Sequence, residues 1–182
     1  MKKSSSLLGI IGFAILYAAT VFLCAFVGFL HPVCWVGFPV LAAFLGAYSY
    51  YKVTSGIKCF GAGVLLAAVL AGILLVLGEI KLPAAGIILT AGLVSDIVRQ
   101  LLGNTSAKAL FCAYPLLAAG VFGWLHPLWT NTQRYHEGAT IEMGADYAES
   151  LMVFSSPLFL CLFVVLTLIA SYIGIRIVEK RC

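Results

Sequence analysis

Charge is what this sequence has least of: 10% of its 182 residues are Asp, Glu, Lys or Arg, while 63% are hydrophobic. With a mean hydropathy of +1.09, that excludes a soluble domain, which carries about a quarter of its residues as charge. Paired cysteines are missing too. The six cysteines, Cys24, Cys34, Cys59, Cys112, Cys161 and Cys182, stand singly, so the chain encodes no zinc ligand set and no redox pair, and most read as small apolar helix residues. No Gly-x-x-x-x-Gly-Lys-Ser/Thr loop is present, which excludes ATP hydrolysis of the P-loop kind by this chain. His-Glu-x-x-His and Gly-x-Ser-x-Gly are also lacking, and His136-Glu137 has no second helical histidine to make a zinc protease. No basic patch interleaved with aromatics points to nucleic acid. Acids paired across the bilayer, the mark of a proton-coupled carrier, are absent as well.

What is there is a series of long apolar runs. Lipid offers no partner for backbone N–H and C=O groups, so a chain crosses it as helices of about 20 apolar residues. Six such runs are expected to form an all-α integral membrane protein: Leu7–Leu30, Val33–Tyr51, Ile57–Leu77, Pro83–Leu102, Ala107–Trp129 and Leu151–Val178. Lys2 and Lys3 precede the first run in the manner of a signal peptide, but its length and the lack of a small-residue cleavage site make it a mature helix.

Basic residues fix the expected orientation. With six spans and both termini cytoplasmic, Lys2, Lys3, Lys52, Lys58, Arg99, Lys108, Arg176, Lys180 and Arg181 face inward, and only Lys81 and Arg134 face outward. That asymmetry follows the positive-inside rule and reads as a multi-pass protein of a bacterial cell (plasma) membrane. It also accounts for the net charge of +4 through helix ends lying near anionic lipid.

Within the helices, small residues recur four apart at Ala14/Ala18, Ala43/Ala47, Ala67/Ala71 and Ala109/Ala113. Residues at that spacing share a face and let backbones approach, so these pairs read as packing seams. Pro83 suits the first turn of the fourth helix, and Pro115 is expected to kink the fifth. Asp96 and Arg99 read as a helix-end pair at the inner interface.

One polar stretch interrupts the apolar pattern. Residues 130–150 form an outer loop between helices five and six and hold Glu137, Glu142, Asp146 and Glu149 against one cation, Arg134. The same outer side collects all three tryptophans and all three histidines. Trp and Tyr gather at interfaces as amphipathic rings, yet a belt should mark both interfaces rather than one. The cluster therefore reads as a ligand pocket whose rings enclose a compound and whose polar groups orient it. The candidate binding residues are His31, Trp35, Trp124, His126, Trp129, Asn131, Arg134, Tyr135, Glu142 and Tyr147. Arg134 can clamp a carboxylate or phosphate, or pair with Glu137 or Glu142 to order the loop. The histidines leave haem or another porphyrin open as the ligand, while the outer acids suit a cationic compound. No catalytic residue, resident cofactor or metal is assigned. The island serves as a wall of the pocket or as a lid over it.

Gly12-Phe13-Ala14-Ile15-Leu16-Tyr17, the Tyr114-Pro115 kink leading to Gly123-Trp124, and Tyr147-Ala148-Glu149 resemble the Trep_Strep family of substrate-binding S components of energy-coupling factor (ECF) transporters. That resemblance spans nearly the whole chain. It implies a subunit that captures a micronutrient outside, such as a vitamin, cofactor precursor or haem-like compound. The loaded subunit docks on a membrane T component driven by two cytosolic ATPase subunits. ATP hydrolysis then belongs to those partners. The resemblance further implies that Ala14 and Ala18 match the first-helix signature that contacts the T component. The rival expectations are a small membrane enzyme, with His126 or His136 as base and Glu137 or Glu142 as partner, and a ligand-free membrane assembly subunit.

Overall fold

The computed structural model describes residues 7–181 and is helical throughout, with no strand among them. Its elements are α1 (Leu7–Phe26), α2 (Pro32–Gly56), α3 (Ala62–Val76), α4 (Leu82–Leu101), α5 (Ala107–Ala119), α6 (Phe122–Leu125), α7 (Pro127–Thr130), α8 (Thr132–Met143), α9 (Ala145–Met152) and α10 (Pro157–Arg181). Short 3₁₀ turns at Val27–Leu30 and Val153–Ser155 extend α1 and lead into α10.

Five segments are long and apolar enough to cross a membrane: Leu7–Leu30, Pro32–Gly56, Leu82–Leu101, Ala107–Leu125 and Pro157–Arg181. The expected third span differs. At 15 residues, α3 is about 22 Å long at 1.5 Å per residue, short of the roughly 30 Å hydrocarbon core. Its ends are set by capping. At the first, the Asp96 carboxylate on α4 accepts the backbone N–H groups of Gly61, Gly63 and Val64 at 2.9 to 3.0 Å. At the last, Gly78 takes φ +79, the N–H of Glu79 reaches Leu74 O at 2.9 Å and that of Gly78 reaches Leu75 O at 3.1 Å. This is the Schellman closure, in which a glycine adopts the left-handed turn without penalty from a β-carbon.

Asp96 and Arg99 form the expected pair at the end of α4, and both are fully buried. Arg99 bridges Asp96 at 3.4 Å and donates to the carbonyls of Ile57 (3.0 Å), Asn104 and Cys59. A single buried arginine thus gathers the end of α2, the α2–α3 connection and the α4–α5 connection, satisfying carbonyls that lipid would leave bare.

Pro115 lies inside α5, as expected, and the helix ends at Ala119 with Gly120 as its C-cap. The chain continues as the short helices α6 and α7. Residues 130–150 form the helices α8 and α9 rather than a loop, separated by Gly144 at φ +94.

All four alanine pairs are buried, including Ala14 and Ala18, which have no more than 1% of their surface exposed. In this arrangement α1 packs Ala14 and Ala18 inward against its neighbours. The exposed face of α1 presents Leu8, Ile11, Ile15 and Leu16 instead.

The bundle has two distinct ends. Gly37 lies near Phe163 and Ala47 near Gly174, so α2 and α10 run parallel. With Arg99 at the end of α4 bonded to Ile57 at the end of α2, the C-terminal ends of α2, α4 and α10 share one end with Lys52, Lys58, Arg99, Lys108, Arg176, Lys180 and Arg181, while Lys81 and Arg134 lie at the other. Lys2 and Lys3 lie outside the described residues.

Candidate functional site

The end opposite the basic cluster holds a cavity of about 660 Å³. Four parts of the chain enclose it: the α3–α4 connection with the start of α4, the segment from α6 to α8, Leu151 on α9, and the start of α2. α8 contributes one continuous face. Arg134, Tyr135, Gly138, Ala139, Glu142 and Met143, with Asn131 just before the helix, line the cavity at the three- and four-residue steps that keep side chains on one side. The opposite face carries Gln133 and Glu137, 3.5 Å apart and exposed.

The floor is aromatic. Trp35 and Trp124 are both buried. Trp124 stacks on Phe22 with centroids 6.1 Å apart and meets Phe38 edge to face at 5.3 Å and Trp35 at 6.2 Å. Such offset and T-shaped pairs are the preferred geometries of rings carrying a quadrupole. They hold the two indoles as a rigid surface.

Hydrogen bonds seat the island on the bundle. Trp35 Nε1–H donates to the Tyr135 hydroxyl at 2.6 Å. The Tyr147 hydroxyl donates to the carbonyl of Gly28, and Trp129 Nε1–H to that of Phe154 at 3.0 Å. Burial raises Tyr135 above the ordinary tyrosine range, opposed by the Trp35 bond and aided by Tyr147 and Glu142. Burial, with help from Cys34, pushes Tyr147 up to about 12. Both phenols therefore stay protonated and can donate at neutral pH.

Seven of the ten residues named from sequence line the cavity: Trp35, Trp124, His126, Asn131, Arg134, Tyr135 and Glu142. The other three do not. His31 caps α2 by accepting the Val33 N–H on Nδ1 at 3.2 Å, while Trp129 and Tyr147 anchor the island through the bonds above. His126 turns Nδ1 to the carbonyl of Gly123 at 2.9 Å; a carbonyl only accepts, so the proton sits there and Nε2 is the acceptor of the neutral ring. Arg134 forms no ion pair with Glu137 or Glu142, since Asp96–Arg99 is the one salt bridge among the described residues.

Sequence reasoning missed the contribution of the α3–α4 connection, Glu79, Ile80 and Lys81. The Schellman turn projects Glu79 to the cavity mouth, where partial burial and then the nearby Glu142 raise its carboxyl above the ordinary value. Among the described residues, no three His, Cys, Asp or Glu side chains are grouped to hold a metal ion.

An all-helical bundle with several membrane-length apolar helices and a polar, helical cap at one end defines an integral membrane protein. The chain belongs to the Trep_Strep family of hypothetical bacterial integral membrane proteins, whose model matches residues 5–181. No curated protein and no solved structure matches it.

Proposed function

We propose that this chain is the membrane-embedded substrate-binding subunit of an ECF-type ABC importer. It captures a micronutrient from outside and delivers it to a T component and two cytosolic ATPase subunits. The observation that carries this reading is the cavity: a volume within the range of small-molecule sites, floored by tryptophans and ringed by polar groups. It opens at the end of the bundle that is poorest in basic residues, which the positive-inside rule turns outward. The reading takes α3 as a short sixth crossing, completed by its capped connections, so that both termini are cytoplasmic. It also gives the hydrolysis of ATP to partners, since this chain carries no phosphate loop.

In this reading α8 is a cap. It contacts the floor through the Trp35–Tyr135 bond and is flanked by Asn131 and Gly144, whose backbone lies outside the helical region. Release of the ligand then requires that bond and the Tyr147 contact to part. Co-purification from the native membrane tests the assignment: a T component and ATPases should accompany the tagged chain. Recovery of the chain alone under conditions that preserve other ABC importers would overturn it.

A further inference from the structure

Two carboxylates stand at the cavity mouth without a cationic partner. Glu79 comes from the α3–α4 connection and Glu142 from α8, and the one ion pair among the described residues lies at the opposite end of the bundle. Lys81, His126 and Arg134 line the same cavity and pair with neither. Glu142 raises the proton affinity of both Glu79 and Tyr135, so its negative charge is felt across the mouth from one wall to the other. Glu79, Lys81, Arg134 and Glu142 are all exposed, and neither cation stands within ion-pair distance of either carboxylate.

A second feature sits beneath the carboxylates. The Tyr135 oxygen already accepts the Trp35 proton, and among the described residues its own hydroxyl proton has no acceptor. A lining phenol with an unused donor invites an acceptor atom on a ligand. Beside it, the buried Trp35 and Trp124 offer the ring surfaces that attract cations and flat rings alike.

We propose that the cavity takes a small, flat heteroaromatic cation, with its ring against Trp35 and Trp124, its positive charge between Glu79 and Glu142, and an acceptor atom on the Tyr135 hydroxyl. This rests on the binding-subunit reading and adds the charge and shape of the cargo. A bound cation relieves the repulsion between the two carboxylates, whereas an anion must approach both.

Three probes with one ring separate the alternatives: pyridinium nicotinamide methylated on the ring nitrogen (a cation), nicotinamide (neutral) and nicotinate (an anion). Their binding to the full chain in detergent is read by tryptophan quenching and calorimetry. The cation should bind about tenfold or more tighter than nicotinate, and Glu79→Gln and Glu142→Gln should each weaken the cation about fivefold while leaving nicotinamide unchanged. Nicotinate binding as tightly as the cation, or cation binding unaltered in both variants, overturns the charge assignment while leaving the cavity as a binding site. If none of the three binds saturably to protein whose helical circular dichroism is intact, both the charge assignment and the binding reading fail.

Discussion

The indole of Trp35, in the first turn of α2, donates to the hydroxyl of Tyr135 on α8, a hydrogen bond of 2.6 Å between residues one hundred positions apart. It ties the polar cap to the membrane bundle at the wall of the cavity. A neutral hydrogen bond contributes about 1 kcal/mol net, enough to bias a short helix between seated and lifted states. Trp35→Phe and Tyr135→Phe should each speed hydrogen–deuterium exchange across Thr132–Met143 several-fold, and the double variant should exchange no faster than either single one. Additive effects would mean that the two side chains act separately.

Asp96 caps α3 from α4 and shares the buried cluster with Arg99. Removing one member of a buried pair leaves an uncompensated charge, at a cost of about 3–5 kcal/mol. Asp96→Ala should lower the thermal unfolding midpoint in detergent markedly, and Asp96→Asn, which keeps one acceptor for the α3 N–H groups, should lower it less. Equal midpoints for wild type and Asp96→Ala would remove the cluster from the account of the fold.

Ala14 and Ala18 separate a packing role from a docking role. Leucine at either position overfills a closed seam, costing about 1–3 kcal/mol, so the unfolding midpoint of the isolated chain should fall. An unchanged midpoint combined with lost association with a membrane partner would point instead to the docking role that the sequence resemblance implies.

Glu79 gives a pH dependence of defined sign. Its carboxyl holds a proton more tightly in the folded chain than in the unfolded one, through burial first and Glu142 second. The stability tied to that proton is present in acid and is lost as pH rises through the folded value. His126, Arg134, Lys81, Glu142 and Tyr135 line the same cavity and stay in place in the variant. Glu79→Gln should therefore raise the midpoint of the ligand-free protein at neutral pH, and the gain should shrink toward zero in acid. A gain that grows in acid would contradict the environment described.

Hydropathy alone made five of the membrane-length helices legible, because a lipid-crossing helix announces itself by length and composition. The apolar run that holds α3 was legible too, but its shortness was not, since its first turn is fixed by Asp96, more than 30 positions away in sequence, and an apolar window does not see a cap delivered from another helix. The indole floor was legible from the one-sided placement of tryptophan. Reading residues 130–150 as a loop concealed α8, although Tyr135, Ala139 and Met143 already stood at helical spacing in the sequence. Glu79 and Lys81 join the cavity only through space, by way of a turn whose geometry depends on Gly78. Four-residue alanine spacing, finally, is the same for a seam inside a bundle and a seam between proteins, so the spacing does not choose between them.

Native mass spectrometry of the chain purified gently from its own membrane, beside its Trp124→Ala variant, tests the central claim most directly. The account predicts that the wild-type protein carries one stoichiometric small molecule and that the variant, with the cavity floor opened, loses it while remaining folded. A wild-type chain that carries no small molecule even when nutrients are supplied, or a variant that retains the same molecule equally well, would contradict it.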